Sequence, residues 1–88
     1  LTLHLTLFGT AGCHLCEEAE HLLGEYNSSG RKKIAVRTID ISEQEDWHER
    51  YALRIPVLHH PQSGLELPWP FDLPQLEEFI SRIGTLLP

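Results

Sequence analysis

Leucine occupies every odd position from Leu1 to Leu7, with Thr2, His4, Thr6 and Phe8 standing between and after them. That period of two predicts a β-strand. Gly9-Thr10-Ala11-Gly12 interrupts it. From Cys13 the period lengthens. Leu15, Ala19, Leu22, Leu23 and Tyr26 follow helical spacing, and Glu17, Glu18, Glu20 and Glu25 fill the other side. Asn27-Ser28-Ser29-Gly30 ends that helix. Ile34 to Ile41, rich in β-branched residues, predicts a second strand. Ser42 and Glu45 have the spacing of a capping box. A second helix is therefore predicted to open at Ser42, carry Trp47 and Tyr51 on one face and stop before Pro56.

Pro56 to His60 reads as a third strand, because a proline at the first position removes no needed donor. Pro61-Gln62-Ser63-Gly64 is a turn and Leu65 to Leu67 a short fourth strand, which makes a hairpin. Beyond Pro68-Trp69-Pro70, Asp72 and Gln75 form a second capping-box pair, opening a helix with Leu76, Phe79, Ile80 and Ile83 as its apolar stripe. The order is β-α-β-α-β-β-α. Its first β-α-β must be a right-handed crossover joining parallel strands. The hairpin adds two antiparallel strands, and the helices before and after it cover both faces of one four-stranded mixed sheet. No repeat or linker divides residues 1–88, so one α/β domain is expected.

Composition narrows the class of function. The chain is 41% hydrophobic and 23% charged, ordinary values for a globular domain. No apolar run approaches the ~20 residues needed to cross a bilayer. Seven Lys and Arg against 13 Asp and Glu leave a net charge of −6. Such a surface repels phosphate, so nucleic acid and anionic membrane are poor partners. Arg31-Lys32-Lys33 is too short a basic run to change this and reads as a solvated loop. The chain shows no basic-then-apolar leader, so a monomer in the reducing cytoplasm is the expectation.

The two cysteines carry the chemistry. Cys13 and Cys16 form a single C-x-x-C, and a disulfide closing so short a loop restrains little of the unfolded chain. The pair is placed for redox or metal chemistry rather than for stability. Cys13 stands where a helix begins, and unpaired N–H groups and the helix dipole there favour a thiolate. Glu17, on the same side one turn on, opposes that effect, so a modest depression of the thiol pKa is expected. Cys16 lies one turn inward, the place of a resolving thiol. The metal alternative would make C-x-x-C half of a zinc site, completed by two of His4, His14, His21, His48, His59 and His60. None of these has the spacing of a zinc finger, and His59 and His60, adjacent in a strand, point to opposite faces. A third reading is an inert remnant.

Cys13-His14-Leu15-Cys16-Glu17-Glu18-Ala19-Glu20, followed by Tyr51-Ala52-Leu53-Arg54-Ile55-Pro56-Val57-Leu58, resembles the thioredoxin superfamily and, within it, small glutaredoxin-like proteins. The resemblance covers nearly the whole chain. It implies a thioredoxin-like (glutaredoxin-type) fold and a thiol–disulfide oxidoreductase with Cys13 as nucleophile and Cys16 as resolving thiol. It also implies a cis Ile55–Pro56 bond facing Cys13, with the Ile55 backbone pairing with substrate. Asp72 resembles the family's glutathione-contacting Asp, although its simpler reading is an N-cap. The chain departs from the glutaredoxin pattern in three places. His14-Leu15 replaces Pro-Tyr or Pro-Phe between the cysteines. Leu67-Pro68-Trp69-Pro70-Phe71 replaces a Gly-Gly turn, and Thr10-Ala11-Gly12 replaces a loop that often carries Lys. The expected substrate-binding set is Ile55, Pro56, His14, Leu15 and Asp72. Trp69 and Phe71 are read as core beneath the last helix, or else as a rim that docks a client with Leu15.

No cofactor is implied, with glutathione left open as reductant or substrate. The expected partner is a protein disulfide or thiol client, or a small thiol. Two other functions compete: a non-catalytic redox-sensing or binding domain, and a Cys/His metal-binding module.

Overall fold

The structure, a computed structural model, describes residues 2–29, 33–51 and 54–86. Leu1, the Gly30-Arg31-Lys32 connection, and Ala52 and Leu53 of the second motif lie outside the described residues. Four strands, β1 (Thr2–Gly9), β2 (Lys33–Asp40), β3 (Val57–His59) and β4 (Glu66–Pro68), form one sheet in the order β2-β1-β3-β4. β1 runs parallel to β2, with Thr2 opposite Lys33 and Gly9 opposite Asp40. β3 pairs antiparallel to both β1 and β4. Helices α1 (His14–Ser29), α2 (Glu45–Tyr51) and α3 (Leu73–Leu86) complete the predicted order.

The central position of β1 explains why its simple alternation is only half the pattern. Leu5 and Leu7 pack with Ala19, Leu23 and Tyr26 of α1 and with Leu76, Phe79, Ile80 and Ile83 of α3. On the opposite face Phe8 joins Ile41, Tyr51 and Val57, with Trp47 packed against them. Phe8 stacks on Tyr51 with ring centroids 4.4 Å apart. Thr6 and Phe8 are therefore buried, where a strand with one wet face would expose them. α1 and α3 share one side of the sheet, and α2 covers the other.

Local signals succeed where the partner is near in sequence. The Asp72 carboxylate accepts from the Gln75 N–H at 2.9 Å, and Gln75 Oε1 accepts from the Asp72 N–H at 2.9 Å. This reciprocal pair is the capping box anticipated at α3. The one anticipated at Ser42 does not form. Asp40 Oδ1 instead accepts the Ser42 N–H at 2.9 Å, so residues Ile41–Glu43 close a single 3₁₀ turn. That turn buries Ile41 and delays α2 until Glu45, with the Gln44 carbonyl accepting the first helical bond from His48. At the far end of α1, the Asn27 amide both donates to and accepts from the Ile34 backbone, at 2.9 and 3.0 Å, fixing the register of the crossover.

A polar link ties the segment before β3 to the sheet edge. The Tyr51 hydroxyl donates to Glu66 at 2.6 Å, and the Arg54 guanidinium donates to the other Glu66 oxygen at 3.0 Å. Burial pushes the Glu66 carboxyl up, but these donors and the Arg54 charge outweigh it and hold it below its ordinary range.

Candidate active site

The site begins with the end of β1. Gly9 is buried, and a β-carbon built on it would lie 2.8 Å from Cys16 Sγ. The strand can pass beneath the sulfur only because it carries no side chain there. The chain then turns through Thr10-Ala11-Gly12, Gly12 taking a φ of 74° that favours glycine, and the Cys13 N–H closes the turn on the Thr10 carbonyl at 3.3 Å.

Cys13 occupies the N-cap position of α1. Its carbonyl accepts the first helical bond, from the Glu17 N–H at 3.2 Å, and its sulfur accepts the Cys16 N–H at 3.1 Å. The sulfur thus takes the place that a Ser or Asp oxygen fills in an ordinary cap. Cys13 and Cys16 are joined as a disulfide, with Cα atoms 5.2 Å apart. The two are not equivalent. Cys13 is half-buried, whereas Cys16 is only 7% exposed and packed against Gly9.

The Ile55–Pro56 peptide is cis, as is Trp69–Pro70, which no sequence signal suggested. Pro56 is buried and immediately precedes β3. Phe8 pairs with Val57, so the register carried one residue further sets Pro56 at the Gly9 end of β1, where the cysteine loop starts.

Residues 4–81 match the model of the Glutaredoxin-like domain (DUF836). The chain belongs to that family. It is also similar to a solved structure, the X-ray structure of the structural-genomics target protein XcR50 from X. campestris. The two share 36% sequence identity over 89% of this chain and 96% of that one, with a TM-score of 0.74. The thioredoxin-like architecture and the glutaredoxin-like assignment thus agree with both comparisons.

Around this glutaredoxin-like core, the remaining sequence candidates are distributed unevenly. His14 is highly exposed, its ring 4.0 Å from Glu17 and 3.9 Å from Glu18 on its own helix. Leu15 is 46% exposed, so it belongs to the surface beside Cys13 and not to the apolar face of α1, whose buried residues are Cys16, Ala19, Leu23 and Tyr26. The Ile55 N–H donates to the Tyr51 carbonyl at 3.0 Å. A substrate strand pairing with Ile55 would therefore use the carbonyl or displace that bond. Asp72 is the cap of α3, and Phe71 is core. Trp69 meets Phe71 edge-on at 5.0 Å and is half-buried, while its backbone N–H donates to the Pro56 carbonyl at 3.0 Å.

Two concavities flank the cysteines. One, of about 330 Å³, is lined by Gly9, Thr10, Ala11, Cys16, Glu20 and Asp40 among others. The Ser42 N–H, 2.9 Å from Asp40 Oδ1, holds the Asp40 carboxyl below its ordinary range. The second, of about 460 Å³, runs along α1 towards Trp69 and Asp72. Among the described residues, no three His, Cys, Asp or Glu side chains gather as a metal site. His60 is buried, with its Nδ1 2.7 Å from the Ser63 hydroxyl.

Gly9 is the residue that sequence reading missed as part of the site. It was legible only as a strand breaker, because its neighbour Cys16 is brought to it by the βα turn.

Proposed function

We propose that the chain is a thiol–disulfide oxidoreductase in which Cys13 is the nucleophile and Cys16 the resolving thiol. The observation that carries this reading is the asymmetry of the pair: Cys13 at the helix N-cap with an N–H directed at its sulfur, Cys16 buried one turn behind it. A donor to sulfur and the positive end of a 16-residue helix both favour the thiolate once the disulfide is reduced.

In the reductive direction, the Cys13 thiolate attacks one sulfur of a client disulfide. A Cys13–client bond forms, and the client's other sulfur leaves as a thiolate and takes a proton from water. Cys16, deprotonated, then attacks Cys13 Sγ. The intramolecular disulfide forms and the second client sulfur departs, so two electrons have passed from the dithiol to the client. A reducing dithiol or two monothiols would restore the pair. The Ile55–Pro56 segment and exposed Leu15 and His14 are the surface a client would meet around Cys13.

The small thiol glutathione is the less favoured substrate. Close backbone approach at the corner before α3 is hindered by Pro68, bulky Trp69 and Pro70, and the Trp69 N–H is already engaged. A chain of net charge −6 also opposes an anionic tripeptide. The expected partner is a protein disulfide. The test is turnover of a peptide disulfide with a dithiol reductant: catalysis that Cys13→Ser abolishes supports the reading, and a rate equal to that without protein overturns it.

A further inference from the structure

The groove along α1 has a composition that selects a ligand. Leu22, Trp69 and Phe71 supply its apolar surface. Glu17, Glu18 and Glu25 from α1 and Asp72 from the start of α3 supply its charge, and among the described residues no Lys or Arg lines it. α1 carries four glutamates and neither Lys nor Arg over its 16 residues. His21, the one histidine among the described residues that line the groove, lies 3.3 Å from Glu25. The near end of the groove is Glu17, whose N–H bonds to the Cys13 carbonyl, so whatever lies in it passes within one helical turn of the nucleophile.

We propose that this groove binds a cationic, apolar stretch of the client polypeptide, an apolar side chain on Trp69 and Leu22 flanked by Lys or Arg facing the carboxylates. The proposal rests on the redox reading for its client, and it adds the client's chemistry. Apolar area alone would accept many sequences, whereas an unbalanced ring of carboxylates discriminates by sign. An acidic segment would face like charge from Glu17, Glu18, Glu25 and Asp72.

The test uses three peptides of one length with the same central apolar residue, flanked by Arg, Gln or Glu, each made with a disulfide and again without cysteine. Exposed charge pairs contribute modestly, so two or three of them together give the Arg disulfide peptide a kcat/KM about tenfold above that of the Glu peptide. The difference should collapse in about 1 M salt, where the screening length is about 3 Å. Double charge reversal, Glu18→Lys with Glu25→Lys, should invert the order. Cysteine-free peptides, titrated while backbone amide shifts are followed, read the groove independently of redox chemistry. Shifts at Leu22, Glu25 and Trp69 with the Arg peptide support the proposal, even if no disulfide is turned over and the redox reading fails. Equal binding of the Arg and Glu peptides overturns the groove while leaving the redox reading intact if turnover is seen.

Discussion

Substituting Gly9→Ala places a β-carbon 2.8 Å from Cys16 Sγ and 3.4 Å from Cys16 Cβ. The neighbour is no flexible side-chain tip, since Cys16 is buried in the first turns of α1 and cannot swing aside alone. Overpacking of this kind costs about 1–3 kcal/mol. The loss of unfolded-state freedom on replacing Gly by Ala returns about 0.4–1 kcal/mol, because Gly9 does not have positive φ. The expected net loss is therefore roughly 1–2 kcal/mol, which at an m-value of about 1 kcal/mol/M lowers the urea midpoint of the reduced protein by roughly 1–2 M. Gly24→Ala is the matched control. Gly24 is exposed in mid-helix with nothing near its missing β-carbon, so this change should stabilise by up to about 1 kcal/mol. In a Cys16→Ala background the sulfur is gone, and the penalty at Gly9 should fall by at least half. Equal Gly9→Ala costs with and without the Cys16 sulfur would refute the close approach as the cause.

Acid should unfold the protein in two overlapping stages. Burial and the adjacent His59 depress the His60 pKa, so His60 is folded in its neutral form and its contribution is lost as pH falls below the ordinary histidine value. Glu66, also held low, contributes fully above the ordinary glutamate value and is lost as pH falls through its folded value, so Glu66→Gln should flatten the lower part of a stability–pH curve measured by urea unfolding. At neutral pH the same change should cost about 1–2 kcal/mol through the Tyr51 and Arg54 bonds, and no cost would show the link to be idle. Glutathione titrated into reduced protein should shift amides only weakly, without saturating below about 1 mM, equivalent to about 4 kcal/mol of binding. Tight saturation centred on Cys13, Ile55 and Asp72 would contradict the reading of the Pro68–Pro70 corner.

What was legible in the sequence depended on the distance between a residue and its cause. The Asp72–Gln75 cap is written within four residues and formed as read. The equally well spaced Ser42–Glu45 pair lost to Asp40, whose carboxylate reaches the Ser42 N–H first. Thr6 lies on the polar side of the leucine alternation, and its burial comes from α2 and its neighbours, which cover that face of the sheet. Leu15 fits the helical stripe by count but sits too near the helix start to reach the core. The C-x-x-C was visible at once; the close passage of Gly9 under its second sulfur, and the Tyr51–Glu66 bond across 15 residues, required the folded chain.

The central claim is that the two cysteines have unequal roles, and trapping tests it directly. Cys16→Ser and Cys13→Ser proteins are each reduced, mixed with an excess of peptide disulfide and quenched with acid, and the covalent adduct is weighed by mass spectrometry. One peptide is expected bound through Cys13 in the Cys16→Ser protein, because no second thiol remains to release it. The Cys13→Ser protein, whose remaining thiol is buried against Gly9, should carry almost none. Equal adducts on both proteins, or an adduct on Cys16 alone, would contradict unequal roles for the two cysteines.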